Sequence, residues 1–495
     1  MPGREPIYMQ VYGAIRRDIE VGRFRIGSRL PGSRSMAVTL GVSRTVVLMA
    51  YEQLEGEGYV ETRGGSGTYV SAVAIAVPPS IGIDAAQASG LANVPLSRFA
   101  QRLSLPPQMP VDHGPCAPEV IDLSLPRVRS DARSLKHWRQ TVAQLVRRRS
   151  APDYPVLEGA PPLRAAVARY LRMERGIVVD PGEVVIVSGT QQARDLVARV
   201  LLDEGAVVGV EDPCYWGVRH SYTATGARIV PCAVDGQGLD VAAHALALRD
   251  ARLVSVGASF QYPTGAVMPM ARKEALLRFA YAGQTCVVED DFDCEHRFGV
   301  RASPSLWSMD RHGRVIYISS FARAVYPALQ LGYMLVPAWL REKILAAKWL
   351  ADRGCMSMQQ HVLAACIDSG QYLRDIRRIN NQLVPRHRAL RDALKAQLGD
   401  AAEVAGEGAA GTLFASLPGL PGECTAELVA EALARGVRLC SGEALHAMPP
   451  SHVTLVLNYA TLSEATLKAA AARLAQAVGA VAARRERPAG TCAAA

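Results

Sequence analysis

Lysine is nearly absent from this chain of 495 residues: 55 residues are lysine or arginine, and only six of these are lysines. The six are Lys136, Lys273, Lys343, Lys348, Lys395 and Lys468. Changes from lysine to arginine are often neutral on a protein surface. An arginine cannot replace a lysine as an amine nucleophile, however, because its guanidinium stays protonated in proteins. Chemistry that needs a lysine amine is therefore confined to these few positions.

The chain also lacks the features of a membrane protein or a secreted protein. No apolar run approaches the roughly 20 residues that a membrane span requires. The longest candidate, residues 72–77, leads directly into two prolines. The N-terminal residues, MPGREPIYMQ, contain no hydrophobic signal core, so a cytoplasmic location and no membrane partner are expected.

Cysteine pairs are missing as well. The ten cysteines are scattered between Cys116 and Cys492, without a CxxC pair and without histidines at metal-binding spacing. They are expected to be free thiols in a reducing compartment, and no metal site is predicted.

What is present describes a multidomain globular protein. Apolar residues make up 49% of the chain and charged residues 20%, which argues against disorder. The length allows two or three domains with substantial cores. The net charge of +9 is compatible with a nucleic-acid partner but does not establish one.

The first 71 residues read as a helix-turn-helix. Apolar residues recur at helical spacing over residues 7–19. The pattern then predicts a short helix at 33–40, a tight turn at Gly41-Val42 and a longer helix at 43–57 with Ser43 as its N-cap. Two helices joined by a turn that contains glycine are typical of helix-turn-helix proteins.

A β-hairpin wing is predicted directly after these helices. Residues 59–62 and 68–70 alternate like strands around a glycine-rich turn that contains Arg63, Gly65 and Gly67. Because glycine has no side chain, the tip of such a wing can approach a groove of DNA closely.

Polar side chains stand where a helix-turn-helix would meet DNA. Ser43, Arg44 and Thr45 begin the second helix, where side chains reach base edges and backbone N–H groups face phosphate. Arg34 begins the preceding helix and is predicted to contact the DNA backbone. By pattern alone, a small helical domain for protein interaction is an equal alternative.

A family resemblance favours DNA. The segment LPGSRSMAVTLGVSRTVVLMAYEQLEGEGYVETRGGSGTYV closely resembles the winged helix of GntR regulators, with the LPxSR, LGVSR, AYxxLxxEGY and GSGTxV landmarks nearly intact. The resemblance implies a DNA-binding domain over residues 1–71 that recognises a double-stranded operator.

The rest of the chain is predicted to form a linker, an α/β domain and a tail. Residues 72–118 are rich in alanine, proline, serine and glycine, as in a linker. Residues 119–482 alternate helical patterns with short apolar strands, which predicts a largely parallel sheet, and a smaller α+β piece begins near residue 352. Residues 483–495 are predicted to be a disordered tail.

The stretch VIYISSFARAVYPALQLGY, residues 315–333, decides how this α/β domain is interpreted. From its residues alone it is either an ordinary strand-loop-strand or an anion-binding corner at Ser319-Ser320. It resembles the cofactor-lysine segment of fold-type I aminotransferases, as found in MocR/GabR-type GntR regulators. That family pattern, G-[ST]-F-S-K, is followed seven residues later by an arginine. Here Arg323 stands at the lysine position and Gln330 at the arginine position.

Further landmarks carry the same resemblance. It implies that the Ser188-Gly189-Thr190 turn holds the phosphate of pyridoxal phosphate, that Tyr215 stacks on the pyridine ring, and that Asp290 pairs with the ring nitrogen. Ser320 is also retained. Besides Arg323, four positions depart from the family pattern: Phe260 replaces a histidine, Phe292 a tyrosine, Gln330 the phosphate-binding arginine and Val456 the arginine that binds the substrate carboxylate.

These departures predict a domain without transaminase activity and without catalytic residues. Schiff-base formation requires an amine, so covalent pyridoxal phosphate is not expected, while non-covalent binding stays open. Three alternatives remain for the pocket: Arg323 contacts an anionic ligand, Arg323 pairs with Asp290 or Asp291, or the pocket is a vestige and the domain serves dimerisation.

The sequence thus predicts a DNA-binding transcriptional regulator. The resemblance implies a homodimer, and a small anion is the expected class of effector. The competing hypotheses are a regulator that binds pyridoxal phosphate, an active aminotransferase fused to a DNA-binding module, and an architectural DNA-binding protein without an effector.

Overall fold

The computed structural model of the chain describes residues 6–72, 95–104, 117, 119–124, 132–148, 155–296, 303–322, 329–405 and 411–486. The chain divides into two compact units, Met1–Pro95 and Leu96–Ala495. Each unit has its own hydrophobic core, and each is described separately below.

The first unit is the predicted winged helix-turn-helix. Its elements are α1 (Ile7–Glu20), α2 (Ser33–Leu40), α3 (Arg44–Gly56), β1 (Val60–Arg63) and β2 (Gly67–Val70). β1 and β2 pair in antiparallel register, as expected for a wing.

Local signals explain where these helices begin and end. Gly41 adopts a left-handed conformation with φ of 65°, which ends α2. Ser43 is the N-cap of α3, and its Oγ accepts a hydrogen bond from the Val46 N–H at 3.4 Å. The helices pack on a core that includes the fully buried side chains of Ile19 and Leu54.

The second unit contains the remaining elements. Its helices are α4 (Arg98–Arg102), α5 (Ala132–Arg148), α6 (Pro161–Tyr170), α7 (Thr190–Leu201), α8 (Trp216–Ala224), α9 (Met270–Gly283), α10 (Leu306–Met309), α11 (Ala338–Asp352), α12 (Ser357–Asp368), α13 (Gln371–Leu398), α14 (Thr425–Ala434) and α15 (Glu464–Glu486). Its strands are β3 (Ile121–Asp122), β4 (Val184–Val187), β5 (Val207–Asp212), β6 (Arg228–Asp235), β7 (Gly238–Leu239), β8 (Ala251–Val256), β9 (Cys286–Asp290), β10 (Val315–Ser320), β11 (Gly332–Leu335), β12 (Glu403–Ala405), β13 (Thr412–Pro421), β14 (Val437–Arg438), β15 (Cys440–Ser441) and β16 (His452–Asn458).

An eight-stranded sheet forms the centre of the second unit, in the order β4-β11-β10-β9-β8-β5-β6-β7. β10, β9, β8, β5 and β6 run parallel, while β11 is antiparallel to both of its neighbours. Helices cover both faces of such a sheet, which is why its strands read as continuous apolar runs. β10 shows this directly, since all of its residues are buried. The predicted α/β fold with a largely parallel sheet is confirmed.

A smaller lobe lies towards the C-terminus. β12, β13, β16 and β15 form a four-stranded sheet in that order, and α13, α14 and α15 pack on it. The core of this lobe includes Leu413, Leu455 and Leu474. It corresponds to the α+β piece that the sequence predicts.

Two predicted boundaries are wrong. α15 continues to Glu486, so residues 483–486 are helical and do not belong to a disordered tail. Ion pairs explain this, because Arg484 binds Glu427 at 2.9 Å as well as Glu431. Within the predicted linker, α4 packs on the second unit through Arg102, which donates to the carbonyl of Thr225 at 3.4 Å. Most other residues of the predicted linker lie outside the described residues.

Across the described ranges, every helix is too short or too polar to cross a bilayer.

Candidate functional site

The predicted DNA-binding residues of the helix-turn-helix lie at the junction of α2 and α3. Arg34 is the second residue of α2, while Arg44 and Thr45 open α3 and are exposed. The Arg44 Nε donates to Ser33 Oγ at 3.2 Å, which ties the start of α3 to the start of α2. The structure therefore brings these side chains together at one helix-helix corner.

The wing presents the other predicted residues. Gly65 and Gly67 both have positive φ, at 73° and 118°. A Cβ on Gly67 would lie 2.5 Å from Nε of Arg29, so a side chain at this position would require the Arg29 side chain to move. Arg63 lies over the ring of Tyr69, 4.7 Å from its centre, and also pairs with Glu61.

Sequence reasoning missed two residues of the recognition helix. Leu48 and Met49 are 40% and 43% exposed although they are large and apolar. They follow Thr45 by three and four positions, so all three lie on one face of α3. The spacing shows that they share a face with Thr45, but only the structure shows that this face is exposed.

The predicted cofactor residues of the second unit meet where strands end. Asp290 is the last residue of β9 and Ser320 the last of β10, while Tyr215 immediately precedes α8. Gly189 lies between β4 and α7. The backbone of Gly332 passes close to it, since a Cβ built on Gly332 would lie 3.0 Å from the Cα of Gly189. The topology therefore gathers residues from distant parts of the chain at the carboxyl edge of the sheet, where α/β folds bind ligands.

An arginine that sequence reasoning did not identify occupies the centre of this site. Arg194 lies on α7, its side chain is only 2% exposed, and its Nη2 donates to Oδ2 of Asp290. Its guanidinium carbon also lies 5.4 Å from the centre of the Tyr215 ring. Burial favours a lower pKa for Arg194, but the charge of Asp290 and their hydrogen bond outweigh it and raise the pKa above its ordinary value. The sequence does contain a signal for this buried arginine. Arg194 precedes the buried Val197 by three residues, so it lies on the face of α7 that should point to the core.

Arg323, the residue that the family resemblance aligns with the cofactor lysine, lies outside the described residues. The two carboxylates that we considered as its partners each bind another arginine. Asp290 accepts from Arg194, and Asp291 accepts from Arg175 and from the hydroxyl of Tyr317. The charge of each carboxylate is therefore balanced without Arg323.

Aromatic side chains line the space beside Asp290. Tyr262 meets the edges of both Tyr215 and Phe292, with ring centres 6.5 and 6.1 Å apart. The cavity that these side chains enclose with Asp290 measures about 30 Å³. A single water requires about 10–15 Å³ on this scale, so the cavity holds about two waters.

The residues of the predicted phosphate corner are tied to protein groups. The Ser188 N–H donates to Gln192 Oε1 at 2.8 Å. Ser320 Oγ accepts from the Ala322 N–H at 3.2 Å and contacts the Leu331 carbonyl at 3.5 Å. Gln330 is exposed, with φ of 45°, and brings no positive charge to this corner.

The side chains at this site do not suit covalently bound pyridoxal phosphate. The two buried lysines are engaged elsewhere: Lys273 donates to Ser303 and Pro304, and Lys348 to Asp352. None of the residues that line the cavity is a lysine. Asp290, the predicted partner of the cofactor ring nitrogen, already binds Arg194.

The position of the missing carboxylate-binding arginine is apolar. Val456 forms a buried cluster with Phe414 and Leu445, and Trp216 and Tyr262 pack against it. An apolar cluster cannot replace the charge-assisted hydrogen bonds that an arginine makes to a carboxylate.

Glu211 is a buried carboxyl group on the wall of the cavity. Its Oε2 accepts from the Gly257 N–H at 2.9 Å, and burial raises its pKa to about 8. The folded protein therefore keeps a proton on Glu211 at a pH where the unfolded chain, with an ordinary pKa of 4.5, has lost it. The stability that this group contributes is fully present below pH 4.5 and is lost as the pH rises through about 8.

Glu211→Gln should remove this pH dependence. Between pH 5 and 8 the wild type should lose about 1.4 kcal/mol per pH unit relative to the variant, since glutamine has no proton to release. Urea denaturation at several pH values measures the difference. The exposed Glu174→Gln serves as control, and identical slopes for the wild type and Glu211→Gln would show that Glu211 is ionised in the fold.

Within the described ranges, no group of three or more histidine, cysteine, aspartate or glutamate side chains could hold a metal ion.

Two protein families match the chain. Residues 7–70 match the family described as "Bacterial regulatory proteins, gntR family", and residues 118–474 match "Aminotransferase class I and II". The second match covers more than half of the chain.

Three known proteins are similar to the chain over more than two thirds of its length. The chain is 33% identical over 402 residues to the "Probable rhizopine catabolism regulatory protein MocR" of Rhizobium meliloti, covering 80% of this chain and 78% of that protein. It is 34% identical over 372 residues to the "HTH-type transcriptional regulator TauR" of Rhodobacter capsulatus, covering 71% and 72%. A "2-aminoadipate transaminase" of Thermus thermophilus is 31% identical over 349 residues, covering 68% of this chain and 85% of the enzyme.

Solved structures agree on the fold of the second unit. The multiple substrate aminotransferase of Thermococcus profundus superposes with a TM-score of 0.71 at 24% identity, covering 79% of this chain and 98% of that chain. LysN, the alpha-aminoadipate aminotransferase of Thermus thermophilus, gives a TM-score of 0.69 at 26% identity, covering 79% and 98%. The second unit therefore has an aminotransferase fold.

Proposed function

Because the chain belongs to the MocR/GabR-type subfamily of GntR regulators, it is a DNA-binding transcriptional regulator, and we propose that its aminotransferase-like unit works without Schiff-base chemistry. The observation that carries the proposal is Arg323 at the position of the cofactor lysine. The ion pair between Arg194 and Asp290 supports it, since the ring-binding carboxylate already has a cation. Catalytic inactivity and the absence of a covalent cofactor follow from these two features.

We propose a separate role for each predicted domain, DNA binding for the first and dimerisation for the second. Residues 1–71 bind the operator through Arg34, Ser43, Arg44 and Thr45 at the helix corner and through the wing with Arg63, Gly65 and Gly67. Residues 119–482 form the aminotransferase-like domain. A dimer of this body would present two recognition helices to repeated half-sites, so we propose a homodimer. Because a DNA-binding regulator must reach its operator, we propose a cytoplasmic location.

A small anion remains our proposal for the effector. The candidate pocket retains the Ser188-Gly189-Thr190 turn at the start of α7, where backbone N–H groups and the helix dipole favour an anion. Arg323, by its position in the motif, is the proposed cationic contact.

The second candidate is an active aminotransferase fused to a DNA-binding module. The likeness to the 2-aminoadipate transaminase favours it, as do the retained Asp290 and Tyr215. It requires a lysine amine that the cofactor motif lacks, and the apolar cluster around Val456 provides no charge for an amino-acid carboxylate.

Incubation with pyridoxal phosphate followed by borohydride reduction separates the two candidates. Our proposal predicts no absorbance band of an aldimine and no reduced adduct in the intact mass, because the motif offers no amine at the aldehyde. The T. thermophilus 2-aminoadipate transaminase, treated in the same way, is the positive control. A reduced adduct on a lysine of this chain would refute the proposal and revive the enzyme.

A further inference from the structure

Arg194 makes both of the contacts that the family resemblance assigns to the cofactor ring. In the family, the aspartate at the position of Asp290 binds the protonated ring nitrogen, and the aromatic residue at Tyr215 stacks on the ring. Here Arg194 Nη2 donates to Asp290 Oδ2, and its guanidinium carbon lies 5.4 Å from the centre of the Tyr215 ring. One side chain of the protein itself therefore engages both groups.

We propose that Arg194 is a built-in substitute for the cation that a pyridoxal cofactor brings to Asp290, so that the pocket is balanced in charge without a cofactor. This inference rests on the proposed function. It adds the physical reason why a cofactor-free unit tolerates a carboxylate at the bottom of its pocket.

Burial makes such a substitute necessary. The side chains of Arg194 and Asp290 are 2% and 15% exposed. A carboxylate removed from water without a cationic partner either takes up a proton or destabilises the fold. In a cofactor enzyme the partner arrives with the ligand, whereas in this chain it is encoded on α7. Because Asp290 raises the pKa of Arg194 further, the guanidinium is charged at every physiological pH.

The geometry also defines which ligands Arg194 excludes. A guanidinium and a pyridinium are both planar cations that donate N–H groups to a carboxylate and lie favourably against an aromatic ring. Asp290 Oδ1 is buried and, among the residues that the structure describes, has no hydrogen-bond partner, so it is available to accept a second N–H. With Arg194 in place, the adjoining cavity of about 30 Å³ is too small for a pyridine ring.

The position should therefore accept a planar cation once Arg194 is shortened. We would test this with full-length Arg194→Ala and two probes that need no lysine. One is methylguanidinium, which restores the missing group alone. The other is pyridoxamine 5′-phosphate, which carries a pyridine ring but no aldehyde.

Thermal unfolding provides the readout, because all five tryptophans lie in the second unit and their fluorescence reports that unit alone. We expect both probes to raise the Tm of Arg194→Ala and to leave the wild type unchanged. Pyridoxamine 5′-phosphate should bind the variant at least about tenfold more tightly than the wild type, which corresponds to about 1.4 kcal/mol.

Two control variants test whether the effect depends on the position of Arg194 and on the charge of Asp290. Arg199→Ala removes an arginine from the same helix, but its side chain is 51% exposed, and neither probe should affect this variant. Arg194→Ala combined with Asp290→Asn opens the same space without the carboxylate, so methylguanidinium should no longer stabilise it.

Each outcome decides the inference. Equal affinity of the wild type and Arg194→Ala for pyridoxamine 5′-phosphate would overturn it, as would the absence of rescue by both probes. If Arg194→Ala does not fold, its refolding yield is compared with and without methylguanidinium. The inference predicts a higher yield with methylguanidinium for Arg194→Ala and no change for the double variant. A borohydride adduct in the wild type would refute the proposed function, whereas no adduct together with no rescue would refute only the role of Arg194.

Discussion

Methionine in place of Arg194 should lower the free energy of unfolding of the second unit by about 3–5 kcal/mol, the usual cost of removing one member of a buried ion pair. The variant keeps a side chain of similar length, but it leaves Asp290 buried without its cationic partner. Urea denaturation at neutral pH, followed by tryptophan fluorescence, measures the change, because the tryptophans report this unit alone.

The double variant Arg194→Met with Asp290→Asn tests whether the unpaired buried carboxylate causes this loss of stability. Removing both charges avoids an unpaired buried ion, so its stability should return to within about 1 kcal/mol of the wild type. Arg199→Met on the same helix loses an exposed pair with Asp195 and a contact with the Phe99 ring, whose centre is 5.9 Å from the guanidinium carbon. It should change stability by less than about 1 kcal/mol. Additive losses in the double variant would show that the two side chains do not act as a pair.

Alanine in place of Arg44 should weaken binding of the operator by about 10–100-fold, which corresponds to the 1–3 kcal/mol of a specific arginine–base contact. Arg44 opens the recognition helix, it is exposed, and its Nε already holds the start of α2 through Ser33. Fluorescence anisotropy with an operator selected from a random DNA library by the wild-type protein measures the affinity.

A matched arginine separates base recognition from overall charge. Arg23 is 76% exposed and pairs with Asp18, so Arg23→Ala removes the same charge from the same unit. We expect Arg23→Ala to bind the operator nearly as the wild type does at 0.15 M salt. The loss for Arg44→Ala should be larger on the operator than on a scrambled duplex. Equal losses on both duplexes would assign Arg44 to the phosphate backbone.

The winged helix was readable from the sequence because its signals are local. Ser43 caps a helix three residues before the N–H that it binds, and Gly41 ends the preceding helix with a conformation that glycine adopts freely. Both effects act over a few residues and need no tertiary contact. The exposed Leu48 and Met49 were missed, because periodicity shows which residues share a face but not which face is buried.

The boundaries of the second unit were less predictable. The segment containing Arg102 reads as a linker by composition, and its packing depends on Glu204 and Thr225, more than 100 residues away. The last helix likewise extends because Arg484 reaches Glu427 across the lobe. Composition describes a segment in isolation, and these contacts are made only after folding.

The sequence by itself predicted that the Schiff-base chemistry of the cofactor is missing. A guanidinium at position 323 cannot form an imine, and this holds in any fold. Only the tertiary structure shows which group now pairs with Asp290, the carboxylate that the family resemblance assigns to the cofactor. Arg194 and Asp290 are 96 residues apart and belong to different elements, and they meet because the parallel sheet places the end of β9 against α7. A buried charge must be balanced by whatever the fold brings within hydrogen-bonding distance, and that distance exists only in the folded chain.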